Sequence, residues 1–195
     1  MKLQQLIDVL FPPQCGACNA PGSGACERCL PNGTLATVAL PTLDVTALAA
    51  YEGSVRRMVL ALKNGRRDVA RAFAQRMRTM LGGDEVLVPV PTTAARRRQR
   101  GFDGCEFIAH CIAGDLPVRV HAHLVQTAGD KQRGRDRDAR LQARGRFAWR
   151  GPALDGTCVT LLDDVVTTGA TLEDCARTLR SHGAVVRRAI VVARA

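Results

Sequence analysis

The sequence predicts an α/β domain in which helices flank a parallel sheet, with a small cysteine-rich segment at its N-terminal end. Strand-like and helix-like apolar patterns alternate from about residue 43 to 114 and again from 157 to 193, which favours a parallel sheet. The 195 residues, 46% of them hydrophobic, are enough for one domain with a real core. We expect residues 1–40 to form an N-terminal helix and a cysteine knuckle, and residues 41–195 to form the main domain.

The individual elements follow from the spacing of the apolar residues. Leu3, Leu6, Ile7 and Leu10 form the stripe of an amphipathic helix within Met1–Phe11. Further along the chain, the patterns predict strands at Leu43–Tyr51, Val86–Val90, Thr157–Leu162 and Ala184–Ala193, and helices at Val55–Leu62, Ala70–Leu81, Phe102–Ala113 and Leu172–His182.

The composition favours an anionic partner and a cytoplasmic protein. The formal net charge is +10 and is mostly due to arginine, whose planar fork of donors suits phosphate oxygens; a GC-rich genome that encodes Arg in place of Lys explains the excess equally well. Aromatic residues make up 4%, so stacking platforms for bases are sparse. No apolar run approaches the length of a membrane span, and Asp8 within the first stripe argues against a signal peptide. We therefore expect no integral membrane association.

Four cysteines near the N-terminus form two Cys-x-x-Cys pairs, Cys15 with Cys18 and Cys26 with Cys29. Two such pairs in a segment with few large apolar residues predict a tetrahedral four-sulfur site that holds structural Zn²⁺. A redox pair or an iron–sulfur cluster is the alternative. The other four cysteines, at positions 105, 111, 158 and 175, are predicted to be small buried residues.

The segment Val159–Thr171 predicts a site for a phosphorylated sugar. A buried strand leads to Asp163 and Asp164, which we place at the carboxyl edge of the sheet, where α/β proteins bind ligands. A loop of small and hydroxylated residues then opens a helix, whose first amides favour an anion. The loop residues are Thr167, Thr168, Gly169, Ala170 and Thr171. The alternative is an ordinary strand–turn–helix with a solvated acidic pair.

A second constellation follows the strand Val86–Val90. Proline has no N–H, so Pro89-Val90-Pro91 should end the strand at the same edge of the sheet. Arginines at positions 96, 97, 98 and 100 follow, and we expect them to lead into a helix that starts near Gly101. Such a cluster could bind pyrophosphate, bind nucleic acid or be solvated.

Taken together, these motifs resemble a known family. Val159–Thr171 is similar to the phosphoribosyl pyrophosphate (PRPP) signature of type I phosphoribosyltransferases. With the cysteine knuckle, the Pro-Val-Pro strand end and the Arg-Gly-Phe of residues 100–102, the whole chain resembles the ComF family of competence protein F and GntX-like proteins. Two departures are Asp103-Gly104, where Asn-Gln is common, and Ala143, where Asn is common.

The resemblance implies a type I phosphoribosyltransferase fold and a function. Asp163 and Asp164 would be the catalytic pair that holds the ribose hydroxyls, the loop Thr167–Thr171 would hold the 5′-phosphate, and Pro91, Arg96 and Arg100 would face the pyrophosphate. PRPP, Mg²⁺ and an unknown acceptor would be the ligands, and Gln132–Phe147 would be a mobile loop or a disordered basic one. Alternatively, the protein is a DNA-uptake factor that binds single-stranded DNA or the competence machinery, and the PRPP fold is a non-catalytic sensor.

Overall fold

The structure is a computed structural model that describes residues 12–30, 36–82, 85–127 and 146–195. The helix predicted within Met1–Phe11 lies outside the described residues, as does all but the last two residues of the predicted loop Gln132–Phe147.

Eight strands and five α-helices make up the described part of the chain. The strands are β1 (Ala36–Ala39), β2 (Asp44–Ala50), β3 (Val86–Pro89), β4 (Arg119–Val120), β5 (Leu124–Gln126), β6 (Phe147–Trp149), β7 (Cys158–Val166) and β8 (Val185–Arg194). The helices are α1 (Gly53–Lys63), α2 (Arg67–Met77), α3 (Ala94–Arg100), α4 (Gly104–Ala113) and α5 (Ala170–Arg180), and a single 3₁₀ turn (Arg78–Met80) follows α2.

Six strands form one sheet in the order β1-β2-β8-β7-β3-β4, in which all pairs are parallel except β1 with β2. The short strands β5 and β6 form a separate antiparallel pair. The predicted fold class, a parallel sheet flanked by helices, is confirmed. Since β1 pairs with β2, residues on both sides of position 40 contribute to the main sheet, and the predicted boundary there stays a prediction.

The central strands are buried on both faces because helices cover both sides of the sheet. On one face Leu87, Leu162 and Ile190 pack into a cluster with α1, α2 and α4. On the other face Val88, Leu161 and other strand residues pack against α5 and the β5–β6 pair. Such two-sided burial explains why β7 and β8 are nearly continuous apolar runs instead of alternating ones.

Two predicted boundaries and one predicted burial are wrong in an informative way. Strand β7 does not end at Leu162 but continues through the acidic pair to Val166, because β8 pairs with it along that whole length. Phe147, predicted to end a mobile loop, opens strand β6 and is buried. Cys158, expected in the core, is exposed, whereas Cys105 and Cys175 are buried as predicted.

No helix within the described ranges combines the length and the apolar character that crossing a membrane requires.

Candidate functional site

The candidate site lies where β3 stops and its neighbour β7 continues. Pro89 is paired with Leu162, and the Val90 N–H donates the last hydrogen bond of this ladder to the Leu162 carbonyl (2.8 Å). Pro91 has no N–H to continue it, so the chain turns away there. Strand β7 extends four residues further, paired with β8 alone, and its open side forms the floor of a cleft of about 440 Å³. This volume is in the range of small-ligand sites.

The acidic pair occupies this end of β7, which is paired on one side only. Asp163 and Asp164 both line the cleft, and the Asp164 N–H donates to Asp163 Oδ1 (2.8 Å). Burial and the neighbouring negative charge of Asp164 raise the pKa of Asp163 to about 7. A carboxyl group with such a pKa exchanges its proton near neutral pH, which is a frequent property of functional sites.

The predicted phosphate loop follows directly and leads into α5. Gly169 is the N-cap of α5 in the left-handed conformation (φ 79°), which glycine adopts without steric cost. A Cβ at this position would lie 2.4 Å from Leu40 Cδ1, so the loop packs tightly against the turn before β2. Asp163 and the loop residues from Thr167 to Thr171 line a small cavity together, so the predicted phosphate loop adjoins Asp163 of the acidic pair.

The arginine cluster also borders the cleft, but it forms a helix of its own instead of leading directly into the predicted one. Arg96–Arg100 belong to a separate short helix, α3, which begins after the Thr93 cap and ends at Gly101 in the left-handed conformation (φ 75°). Pro91, Arg96 and Arg100 line the cleft with the acidic pair, whereas Arg97 pairs with Glu106 (3.1 Å). The structure therefore brings Arg96 and Arg100 to the cleft.

Asp103, a departure from the family pattern, has a clear structural role. Its side chain caps α4 by accepting from the Cys105 and Glu106 N–H groups at Oδ1 (3.0 and 3.2 Å), and its other oxygen accepts from the Thr92 N–H (2.8 Å). Two carboxylate oxygens satisfy donors on both sides of the turn, while an asparagine has one acceptor oxygen and one donor group. Asp103 thus fixes the connection that carries the arginines. Ala143 lies outside the described residues.

The cleft is also reached by three side chains that the sequence motifs did not identify as site residues. Lys63 Nζ lies 3.3 Å from Asp164 Oδ2, and the buried Cys105 thiol donates to Asp163 Oδ1 (3.7 Å). Burial and the negative charges of Asp163 and Asp164 raise the pKa of Cys105 well above its ordinary value. Arg146 also lines the cleft and donates to Asp174 on α5 (2.6 Å). The sequence marks Lys63 only by the basic turn Lys63-Asn64-Gly65, which specifies no partner.

The four predicted metal ligands come together at the N-terminal end. The Sγ atoms of Cys15, Cys18, Cys26 and Cys29 all lie within 4.8 Å of one another, and those of Cys18 and Cys26 are 3.7 Å apart. A tetrahedral zinc site with Zn–S bonds of about 2.3 Å places its sulfurs about 3.8 Å apart. The backbone N–H of Ala20 and the Arg28 guanidinium lower the pKa of Cys18 to about 6, which favours the thiolate that binds metal. The cluster could thus hold a metal such as zinc.

Several solved structures have folds related to this one, at low similarity. The Leishmania donovani UMP synthase is 18% identical with a TM-score of 0.43, covering 72% of this chain and 24% of that chain. Orotate phosphoribosyltransferase from Aeropyrum pernix is 18% identical with a TM-score of 0.41, covering 71% of this chain and 64% of that chain. Hypoxanthine phosphoribosyltransferase from Staphylococcus aureus is 13% identical with a TM-score of 0.36, covering 70% and 63%. Likeness at this level says nothing about activity.

Sequence relatives are more informative. No family model matches the chain. The competence protein ComFC of Bacillus subtilis is 35% identical over 98 residues, which are 50% of this chain and 39% of ComFC, so that match spans well under half of the relative. The DNA utilization protein YhgH of Salmonella typhimurium is 28% identical over 179 residues, covering 88% of this chain and 78% of YhgH. The resemblance to the ComF family is therefore confirmed, and the chain is a homologue of ComFC and YhgH.

Proposed function

We propose that the protein binds PRPP in the cleft at the end of β7 and transfers its phosphoribosyl group to an acceptor. The observation that carries the proposal is a single cleft that is lined by the acidic pair, Thr171, Arg96 and Arg100. A ribose with a phosphate at one end and a pyrophosphate at the other needs acidic and basic partners of these kinds together. The resemblance to the ComF family supports the same proposal.

Each group of the ligand has a chemically matched partner. Carboxylate oxygens accept hydrogen bonds from vicinal hydroxyls, so Asp163 and Asp164 would hold the ribose. Amides at the start of α5 and the hydroxyls of Thr167, Thr168 and Thr171 would hold the 5′-phosphate. Gly169 has no side chain that could shield its backbone N–H from a phosphate, and Leu40 fills the space where a Cβ would lie.

The transfer step replaces one bond at ribose C1 with another. The C1–oxygen bond to pyrophosphate breaks, the pyrophosphate leaves with the bonding electrons, and a bond from the acceptor nucleophile forms, while the acceptor loses a proton. Arg96 and Arg100 would stabilise the charge that develops on the leaving pyrophosphate. Mg²⁺, when bound with PRPP, supplies further charge neutralisation.

Calorimetry with PRPP and Mg²⁺ tests the binding proposal, with ribose 5-phosphate and pyrophosphate as partial ligands. We expect all three to bind, with PRPP the tightest, and PRPP at a hundredfold excess over its dissociation constant to stabilise the fold by about 2.7 kcal/mol. Asp164→Asn should abolish most of this gain. Pyrophosphate release that depends on a nucleobase or amine would establish transfer, whereas binding without release for any acceptor would make the protein a PRPP sensor.

A second candidate function is DNA handling during uptake, which the printed names of the relatives favour: competence for ComFC and DNA utilization for YhgH. In that case the net charge of +10 would attract the phosphates of single-stranded DNA, and the affinity for DNA would fall steeply as the salt concentration rises. A single variant distinguishes the two functions. Asp164→Asn should lose PRPP binding and keep any salt-dependent DNA binding.

The remaining predictions belong to the same proposal. The cysteine cluster would bind Zn²⁺ as a structural ion, since its four sulfurs leave no open position for a substrate. The knuckle with the N-terminal helix (1–40) and the phosphoribosyltransferase-type domain (41–195) would form two units of a cytoplasmic protein. The competence machinery would be a partner in the DNA-uptake case.

A further inference from the structure

Lys63 is the last residue of α1 and enters the cleft from the side of the helices. Its Nζ lies 3.3 Å from Asp164 Oδ2, with both side chains largely covered (31% and 21% exposed). A polyanionic ligand that docks on two carboxylates is repelled by them. A lysine beside the two carboxylates offsets that repulsion. Whether its ammonium group can contact the ligand depends on how the turn between α1 and α2 positions the end of α1.

The α1–α2 turn is held by a dense set of hydrogen bonds. Asn64 N–H donates to the Leu60 carbonyl (2.9 Å), and Gly65 adopts a left-handed conformation (φ 96°) that closes the turn. Arg66 then binds the Asp68 carboxylate through Nε (2.8 Å) and Nη2 (2.6 Å). The same Nη2 donates to the backbone carbonyl of Gln14, the residue before the first metal-ligand cysteine. Arg66 therefore ties the lysine turn to the cysteine knuckle.

The knuckle, defined as residues 12–30, packs directly on this turn. A Cβ on Gly24 would lie 2.2 Å from the Asp68 carbonyl oxygen, and one on Gly16 would lie 2.7 Å from Val69 Cγ2, so backbone touches helix at both places. Cys15 itself is fully buried against the same helices. The ordering of the knuckle by its metal thus bears on the start of α2, three to six residues from Lys63.

We infer that Lys63 is a further cation of the ligand site and that the metal-loaded knuckle positions it through Arg66. The inference rests on the proposed PRPP site. Lys63 acts on the ligand and on Asp164, whereas Arg66 is a positioning residue whose effect passes through Lys63. A knuckle without metal loses its fixed Gln14 carbonyl, and Arg66 then loses one of its two anchors.

The test is calorimetry of the zinc-loaded protein with PRPP and Mg²⁺. Lys63→Met should weaken PRPP binding about tenfold, which is the size of one charge-assisted contact. Lys63→Arg keeps the positive charge and should retain most of the wild-type affinity. Arg66→Met should weaken binding about threefold to tenfold in the wild-type background but have no further effect in Lys63→Met. Arg76→Met is the matched control, because Arg76 on the same helix contacts Glu27 of the knuckle (3.8 Å) far from the turn. It should bind PRPP like the wild type.

Metal removal adds an independent measurement. Zinc is removed with a chelator, and the protein is then dialysed into chelator-free buffer with Mg²⁺. This zinc-free protein should bind PRPP about as weakly as Arg66→Met does, whereas removing zinc from Lys63→Met should leave its binding unchanged. The inference would be overturned if removing zinc weakened PRPP binding equally in the wild type and in Lys63→Met, or if Lys63→Met bound PRPP with wild-type affinity. Either result would leave PRPP binding by the wild type intact. If the zinc-loaded wild type binds no PRPP, the proposed function itself fails, and the inference fails with it. Should chelation unfold the protein, the Arg66 and Lys63 variants decide the question in the metal-loaded state.

Discussion

Replacing Asp163 with asparagine should stabilise the protein above neutral pH while it removes ligand binding. The pKa of this carboxyl rises from 3.8 to about 7 because burial and the charge of Asp164 disfavour its ionised form. The folded protein therefore binds this proton more tightly than the unfolded chain. The resulting stabilisation is complete below about pH 4 and is lost as the pH rises to about 7.

The size of the effect follows from the change in pKa. At about 1.36 kcal/mol for each pH unit, the increase from 3.8 to about 7 sets an upper bound of about 4 kcal/mol. The open cleft lets water screen the charge and reduces this, so we expect about 1–2 kcal/mol. Asparagine has no charge to bury and keeps an oxygen for the Asp164 N–H. Asp163→Asn should thus match the wild type at pH 4 and exceed its stability by about 1–2 kcal/mol at pH 8.

Urea denaturation followed by circular dichroism at pH 4, 6 and 8 measures this difference. Asp44→Asn, which removes an exposed carboxylate at the start of β2, is the control and should show no such rise. A variant that is less stable than the wild type at pH 8, or a difference that does not change with pH, would refute the reasoning. A gain in stability combined with a loss of PRPP binding would be typical of a residue kept for function.

Three further predictions follow from the geometry. Cys15→Ser should lower the melting temperature and reduce bound zinc, measured by elemental mass spectrometry, from about one ion per chain to near zero. Cys158→Ser is the control and should keep the ion. Retention of zinc in Cys15→Ser would contradict a four-sulfur site. Gly169→Ala, at φ 79°, should cost about 1–2 kcal/mol of stability and weaken ribose 5-phosphate binding, and an unchanged melting temperature would argue against the packing described. Asp103→Asn should destabilise the fold by about 1 kcal/mol in thermal denaturation because its amide would face the Thr92 N–H, and a gain in stability would show that this hydrogen bond is unimportant.

The main elements could be predicted from the sequence because each has a long, periodic apolar pattern. Strands β7 and β8 and helices α1, α2, α4 and α5 all fall within a few residues of their predicted ranges. Their order also predicted that Pro91 and the acidic pair meet at one edge of the sheet, since parallel strands place their carboxyl ends together. The structure brings these residues to one cleft.

Short elements and tertiary contacts could not be predicted in the same way. Strands β4, β5 and β6 have two or three residues each, too few for a period to appear. The arginine run of α3 contains no buried residue, so no apolar stripe marks it as a helix. The partner of Lys63 lies a hundred residues away in the chain, and only the packing of α1 against the sheet brings Lys63 to Asp164.

The role of Cys105 illustrates the same limit. A lone cysteine on an apolar helix face predicts a core residue, and Cys105 is indeed buried. Its thiol nevertheless faces Asp163, because the Asp103 cap sets where α4 begins relative to β7. The neighbour of a buried side chain depends on such tertiary placement, which local sequence does not encode.

A crystal structure of the zinc-loaded protein with ribose 5-phosphate tests the central claim most directly. The account predicts the phosphate within hydrogen-bond distance of the backbone amides around Thr168–Gly169 and the ribose hydroxyls within hydrogen-bond distance of Asp163 and Asp164. A sugar phosphate bound elsewhere, for example on the arginines of α3 with its ribose away from the acidic pair, would contradict it.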